Sequence, residues 1–382
     1  MRKQVSKMGK RIFLSSPHMS DEGYELTYIH DAFQKNWIAP LGENVNEFEK
    51  TIGEYTGNSN AVALSSGTAA LHLALILAGV KPGDYVFCQD LTFSASANPV
   101  AYVGAKPVFI DSERDTWNMD PSALEKAIEL YGKPKAVIVV HLYGNPARME
   151  EIESICKAHK LAIIEDAAEA LGSHYCGKKC GAFGDFSALS FNGNKIITTS
   201  GGGMLLCQNK EFAAHALKLA TQAREPVAWY QHEEIGFNYR MSNICAGIGR
   251  GQAKVLEYRI AQKRAIFQRY VSNLKNLPIQ FQRELEESYS NRWLSVMLLE
   301  EGCGVSVKDV LDALQVENIE ARHVWKPMHA QPIFKDAPFV STYDSAVSDD
   351  LFMRGVCLPS DTKMTMEDVD RVSQIIKSLF KE

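Results

Sequence analysis

Between about residues 60 and 207 the chain alternates short apolar runs with longer amphipathic segments. Residues 61–64, Ala-Val-Ala-Leu, read as a buried strand; Ser65-Ser66-Gly67-Thr68 follows, and an apolar helix runs on to Gly79. Lys81-Pro82-Gly83-Asp84 is a turn, 85–88 and 107–111 are strand-like, and a loop and helix lie between them at 94–103. Asp120-Pro121 puts proline in the first turn of a helix over 122–131, where its missing N–H has no helical partner to lose. The run 136–140, Ala-Val-Ile-Val-Val, has no polar position, as expected of a strand covered on both faces. A helix near 147–159 and a strand over 161–166 complete the series, and Gly201-Gly202-Gly203 feeds one more strand. Strand–helix units with short connections predict a mostly parallel sheet flanked by helices. Right-handed crossovers then gather the strands' C-terminal ends on one edge, where ligands bind in open α/β sheets.

The pattern changes after residue 242. A long helical stretch over 242–272 has no glycine or proline after Gly251 and forms a natural bridge. Beyond it, a strand at 293–299 and helices at 306–316 and 366–380 suggest a smaller α+β unit. The division expected is therefore an N-terminal arm at 1–20, a large α/β domain at 21–245, and a bridging helix with a small C-terminal domain at 246–382. The length, 382 residues, fits two or three domains.

Composition narrows the class of protein. Apolar residues make up 46% and charged residues 23%, which is ordinary for a folded globular chain. The net charge of −5 gives no electrostatic reason to expect nucleic acid or an anionic membrane as partner. No apolar run is long enough to span a bilayer. The first ten residues are basic, lack a signal peptide's apolar core and read as a frayed start, so a cytoplasmic location is expected. Eight scattered cysteines (88, 156, 176, 180, 207, 245, 303, 357) match no zinc or redox spacing and read as reduced, mostly buried thiols.

Three stretches fall where the ligand edge of the sheet is expected. Ser65–Thr68 joins a strand to a helix, so free N–H groups and hydroxyls there could hold a phosphate; a plain serine cap is the simpler alternative. No Gly-x-x-x-x-Gly-Lys sequence is present. Glu165-Asp166-Ala167-Ala168-Glu169 ends an apolar strand; Asp166 could protonate a pyridine nitrogen, or the acids could simply cap a helix. A carboxylate metal cluster lacks further ligands nearby in sequence, and no metal is expected. Ser190-Phe191-Asn192-Gly193-Asn194-Lys195 is a lysine among small residues ahead of a glycine run, a context that suits imine chemistry better than a solvated surface lysine.

Over nearly its whole length the chain resembles the DegT/StrS family of nucleotide-sugar aminotransferases. The matching stretches are 36–38, 65–75, 83–86, 92–98, 104–111, 141–147, 164–173, 190–204 and 236–243, all in order. The resemblance implies an aspartate-aminotransferase-like fold, pyridoxal 5'-phosphate as cofactor, and usually a homodimer sharing its active sites. It assigns Lys195 as the lysine that carries the cofactor and moves the proton, and Asp166 as partner of the ring nitrogen. Gly67, Thr68, Ala69 and Ser190 fall at the phosphate site, Phe93 stacks on the ring, and Glu169 lies near the ring oxygen. Asn238 matches an asparagine that reaches the phosphate from the partner subunit.

Many members read Ser-Phe-His-Pro-Thr-Lys where this chain has Ser190-Phe191-Asn192-Gly193-Asn194-Lys195. That variant resembles the bacillosamine-pathway branch, which aminates C4 of a UDP-linked 4-keto-6-deoxy-N-acetylhexosamine with L-glutamate as donor. A GDP- or dTDP-linked keto-sugar is the alternative within the family, and a cofactor-binding regulator without catalysis lies outside it. Arg224, Arg240, Lys326 and His329 are the basic residues expected near the sugar nucleotide.

Overall fold

The alternation of residues 60–207 builds seven strands of one eight-stranded sheet. The computed structural model describes residues 9–380, so most of the basic start, residues 1–8, lies outside the described residues. The strands are β1 (Ala61–Leu64), β2 (Tyr85–Gln89), β3 (Lys106–Ile110), β4 (Ala136–Val140), β5 (Ala162–Asp166), β6 (Phe186–Ser190), β7 (Gly203–Cys207) and β8 (Phe339–Val340). Their spatial order is β1-β7-β6-β5-β4-β2-β3-β8. Pairing is parallel from β6 through β8 and antiparallel at β6/β7 and β7/β1. The sheet is thus mostly parallel, as the pattern predicts, with its antiparallel corner where the triple glycine feeds β7.

Successive residues of the central strands point to opposite faces, and each face is apolar. Val137 and Val139 join Phe48 and Ile52 in one core, while Ile138 joins Leu71 and Leu73 in the other. Both cores are covered by helices: α2 (Glu43–Thr56), which follows α1 (Tyr24–Gln34), carries Phe48 and Ile52, and α3 (Gly67–Leu77) carries Leu71 and Leu73. This two-sided burial is why β4 needs no polar position. It is also why α3, buried almost all round, shows little amphipathic pattern.

The stretch expected as one long helix is two. Helix α4 (Asn243–Ala253) ends at Lys254, Val255 leaves helical geometry, and α5 (Leu256–Leu274) sets off anew. Glycines let α4 lie close against its neighbours: a Cβ on Gly249 would stand 2.6 Å from the Phe48 ring, and one on Gly251 would stand 2.5 Å from the Glu25 backbone. Helix α5 instead packs with Met366–Ser378 over an antiparallel sheet of 279–281, 295–299, 355–358 and 322–323. The pattern did not predict β8, through which the C-terminal region adds an edge strand beside β3.

All eight cysteines are free, five of them buried. No helix among the described residues is long and apolar enough to cross a membrane. Ile138 is fully buried between β2 and β5, so Ile138→Ala should cost about 2–5 kcal/mol by leaving a cavity. A shift in the urea unfolding midpoint measures this; an unchanged midpoint would show that the sheet core is not packed as described.

Candidate active site

Because β1, β4, β5 and β6 all run the same way, their last residues meet at one edge of the sheet. A cavity of about 300 Å³ opens there, lined among others by Ser66, Thr68, Asp166, Glu169, Ser190 and Lys195. Residues far apart in the chain thus share one space because the sheet is parallel.

The floor at one end is the start of α3. The Ser66 hydroxyl accepts the Ala69 amide at 3.0 Å, and the helical ladder begins with Ala70 N–H to the Ser66 carbonyl. The amides of Gly67 and Thr68 therefore have no intrahelical partner, and the positive end of the helix faces the cavity with them. A Cβ on Gly67 would stand 3.1 Å from the Ser190 Cβ, so glycine lets this turn close on the end of β6. A Cβ on Gly203 would stand 2.2 Å from the Ser66 carbonyl carbon, so the glycine run brings β7 under the same turn. Ser66 thus caps the helix while the turn it belongs to leaves two amides open to the cavity. Ala69 is the exception among the expected phosphate residues: its amide is taken by the cap, and it does not line the cavity.

Asp166 ends β5 with its side chain buried. Oδ2 accepts the Ser96 hydroxyl at 2.7 Å, and Oδ1 accepts the Ala168 amide at 3.1 Å. The Ser96 hydroxyl is in turn 2.7 Å from that of Thr92. Both donors to Asp166 are neutral. Burial pushes its carboxyl above the usual range, and the two hydrogen bonds and the more distant Lys195 only partly offset it. This is a carboxylate held in place and short of positive charge, which an N–H⁺ on a bound ring would supply.

Lys195 sits in the turn after β6, its amide bonded to the Asn192 carbonyl. Its Nζ lies 3.7 Å from Glu169 Oε1 and 4.2 Å from the centre of the Trp293 ring. Glu169 is buried and accepts the Tyr143 amide at 2.6 Å. Burial pushes its pKa up and nearby Asp166 adds to the rise, against the pull of Lys195. Phe93, 52% exposed at the cavity mouth, offers a ring face and packs at 5.3 Å against Trp325.

The remaining expected residues lie elsewhere. Arg240 is committed to Glu49 and to the Ala63 carbonyl, tying the segment after β7 to α2, and does not line the cavity. Arg224 is exposed and lies over the Tyr230 ring at 4.4 Å. Lys326 is exposed and does not line the cavity. His329 is held by Asp90, with Nδ1 at 2.8 Å from Oδ2, and faces Asp349 at 3.4 Å. It anchors the C-terminal region to the large sheet and does not line the cavity. Asn238 is exposed and is bridged to Thr221, outside the cavity of its own chain.

Sequence reasoning missed Trp293 and Trp325. Both line the cavity, and with Tyr143 between them they form an aromatic layer, at 6.5 Å from Trp293 and 6.0 Å from Trp325. Of the stretch His323–His329, the structure brings Trp325 to the cavity and leaves Lys326 and His329 outside it. His141, Glu165 and Cys180 also come together, near enough to surround an ion. The imidazole and the carboxylate are already engaged, and burial pushes the Cys180 thiol well above its usual range. The Ala147 amide donates to His141 Nδ1, leaving Nε2–H for Glu165, which also accepts from Gly181, Phe183 and Ser187. The cluster is a hydrogen-bonded brace beneath Asp166.

The DegT/DnrJ/EryC1/StrS aminotransferase family matches residues 20–377. EpsN of Bacillus subtilis (strain 168), provisionally named a pyridoxal phosphate-dependent aminotransferase, is 53% identical over 98% of this chain and 97% of its own. The GDP-perosamine synthase of Escherichia coli O157:H7 is 36% identical over 94% of this chain and 96% of its own. The crystal structure of a DegT DnrJ EryC1 StrS aminotransferase from Brucella abortus superposes with a TM-score of 0.87 at 29% identity, covering 94% and 96% of the two chains.

Two outcomes test this geometry. Gly203→Ala should displace the Ser66–Thr68 turn and weaken anion binding there by about tenfold or more, as overpacking costs roughly 1–3 kcal/mol. A cofactor titration followed by absorbance checks it, and unchanged affinity would remove the turn from the site. For His329, burial opposes the charge, but Asp90 and Asp349 outweigh it and raise the pKa above 6.5. Its stabilisation is therefore complete below 6.5 and is lost as pH rises through the raised value. The thermal-midpoint gap between the native protein and His329→Gln should shrink between about pH 6 and about pH 9. A gap that widened would contradict the ion pair.

Proposed function

Because the chain belongs to the DegT/DnrJ/EryC1/StrS aminotransferase family and is a pyridoxal-phosphate-dependent sugar aminotransferase, we propose that it moves the amino group of L-glutamate to the C4 ketone of a nucleotide-linked 4-keto-6-deoxy sugar. The observation that carries this reading is the meeting of the Lys195 amine, the Asp166 carboxylate and the open amides of α3 in one cavity.

The residues present fit the cofactor. The amides of Gly67 and Thr68, with the hydroxyls of Thr68 and Ser190, would hold its phosphate. Asp166, fixed by Ser96 and Ala168, would hold a proton on its ring nitrogen, and Phe93 would cover a ring face. When bound, pyridoxal phosphate supplies a ring that withdraws the electron pair left when a proton departs from the amine-bearing carbon. Lys195 Nζ removes that proton from glutamate Cα in the first half-reaction, and in the second it delivers a proton to C4 of the sugar. Glu169, whose pKa burial raises, would lie near the ring oxygen, at the place where many members carry glutamine or histidine. Trp325 and Phe93, which line the cavity, would limit the access of water to the reacting atoms. Asn238, exposed in one chain, would reach the phosphate site of a second copy in a homodimer.

For the acceptor we favour the UDP-linked N-acetylhexosamine, because Asn192-Gly193-Asn194-Lys195 and Glu169 resemble the branch of the family that uses it. A GDP-linked sugar is the second reading, favoured by relatives named GDP-perosamine synthase.

Amination of a panel of UDP-, GDP- and dTDP-linked 4-keto sugars separates these readings, with the UDP compound expected to show the highest kcat/KM. A GDP compound turned over at least as well would overturn the UDP assignment. Lys195→Ala should lose the visible band of the bound cofactor and about 10³-fold or more in kcat. Turnover near the native rate would refute the role of Lys195. Glutamate should also change the native cofactor band; a band that glutamate leaves unchanged would favour a regulator over a transaminase.

A further inference from the structure

A second lysine is buried beside a small polar space that Lys195 also borders. Lys263 lies on α5, one turn beyond the equally buried Arg259. Its Nζ donates to the Trp293 carbonyl at 2.9 Å and to the Ser15 hydroxyl at 3.0 Å. Ser15 Oγ donates to the Asn194 carbonyl at 2.9 Å, and Trp293 Nε1 donates to that same carbonyl at 2.7 Å. Lys263, Ser15, Asn194 and Trp293 therefore close a ring of hydrogen bonds drawn from four separate stretches of chain.

Two members of the ring bear directly on Lys195. The Asn194 carbonyl belongs to the peptide whose nitrogen is that of Lys195. The Trp293 ring is the surface over which Lys195 Nζ lies, at 4.2 Å. Both acceptors of Lys263 are neutral, and burial pulls its amine down to about 7, with Asp361 pushing the other way. Arg259 and His18 border the same small polar space, and Asp361 is itself bonded to Ser16. A buried ammonium without a contacting carboxylate is a poor source of stability, and an apolar side chain would fill the space at lower cost. What a lysine adds is two strong donors with fixed aim.

We propose that Lys263 is a positioning residue for the catalytic amine: acting through Ser15 and Trp293, it fixes the peptide that bears Lys195 and the ring over which its Nζ lies. This rests on Lys195 being the cofactor lysine. It implies that the segment around Ser15 is part of the active-site scaffold, not a loose arm.

Ser15→Ala, Ser15→Thr, Lys263→Met and the Ser15→Ala/Lys263→Met double variant test it on the cofactor-loaded protein. Ser15→Ala and Lys263→Met should each move the pH midpoint of the cofactor's visible band by about one unit and lower kcat about tenfold, with KM little changed. Ser15→Thr, which keeps the hydroxyl, should restore both. The double variant should be no worse than the poorer single one, because the ring acts as a unit. If Lys263→Met does not fold, the Ser15 pair decides. A lowered thermal midpoint with unchanged band midpoint and kcat would overturn the proposal, as would effects that simply add. Absence of the band in the native protein would instead remove the premise, and the proposal with it.

Discussion

Strands can run parallel side by side only if each connection crosses back over the sheet, and that constraint sends the ends of β4, β5 and β6 to one edge. The antiparallel pair β7 and β1 then brings β1 into the same direction as β6. Everything chemical in this protein follows from that arrangement. Ser66 and Thr68 come after β1, Asp166 ends β5, and Ser190 and Lys195 end and follow β6. The opposite edge carries the chain turns that make the sheet possible and none of the site residues.

Two costs accompany the site, and the fold meets both locally. Asp166 is a carboxylate in a buried place, and Ser96, Thr92 and the Ala168 amide hold it without neutralising it. Directly beneath, Glu165 on the same strand is buried as deeply. Burial works against its charge too, but the donors from His141, Ser187 and the Gly181 amide outweigh it and hold its carboxyl below the usual range. Adjacent acids on one strand thus differ in character: Glu165 is satisfied and structural, whereas Asp166 is left able to meet a cation. The same economy appears at α3, where one serine caps the helix and leaves the next two amides open.

How much of this was legible in sequence depends on the range of the contacts involved. The strands at 61–64 and 136–140 were readable because burial on both faces leaves an uninterrupted apolar run. The lysine, the acid and the hydroxyl turn were readable because each sits in a local context that general chemistry and family resemblance recognise. The break at Lys254-Val255 was not, since nothing in its composition forbids helix; packing of α4 on Phe48 and Glu25, and of α5 on the C-terminal sheet, imposes it. Arg240 and His329 looked like ligand-binding cations because charge is visible in sequence and its partner is not; Glu49 and Asp90 claim them. Trp293, Trp325 and Lys263 carry no local signal for the same reason: tertiary contacts alone bring them to the site from the C-terminal half.

The central claim is that one particular lysine carries the cofactor, and the chain buries a second lysine beside a small polar space that the first also borders. Borohydride reduction of the cofactor-loaded protein, followed by peptide mass spectrometry, distinguishes the two. The account predicts that the cofactor's mass is fixed on the peptide containing Lys195. Its appearance on Lys263 or on any other lysine would contradict the account.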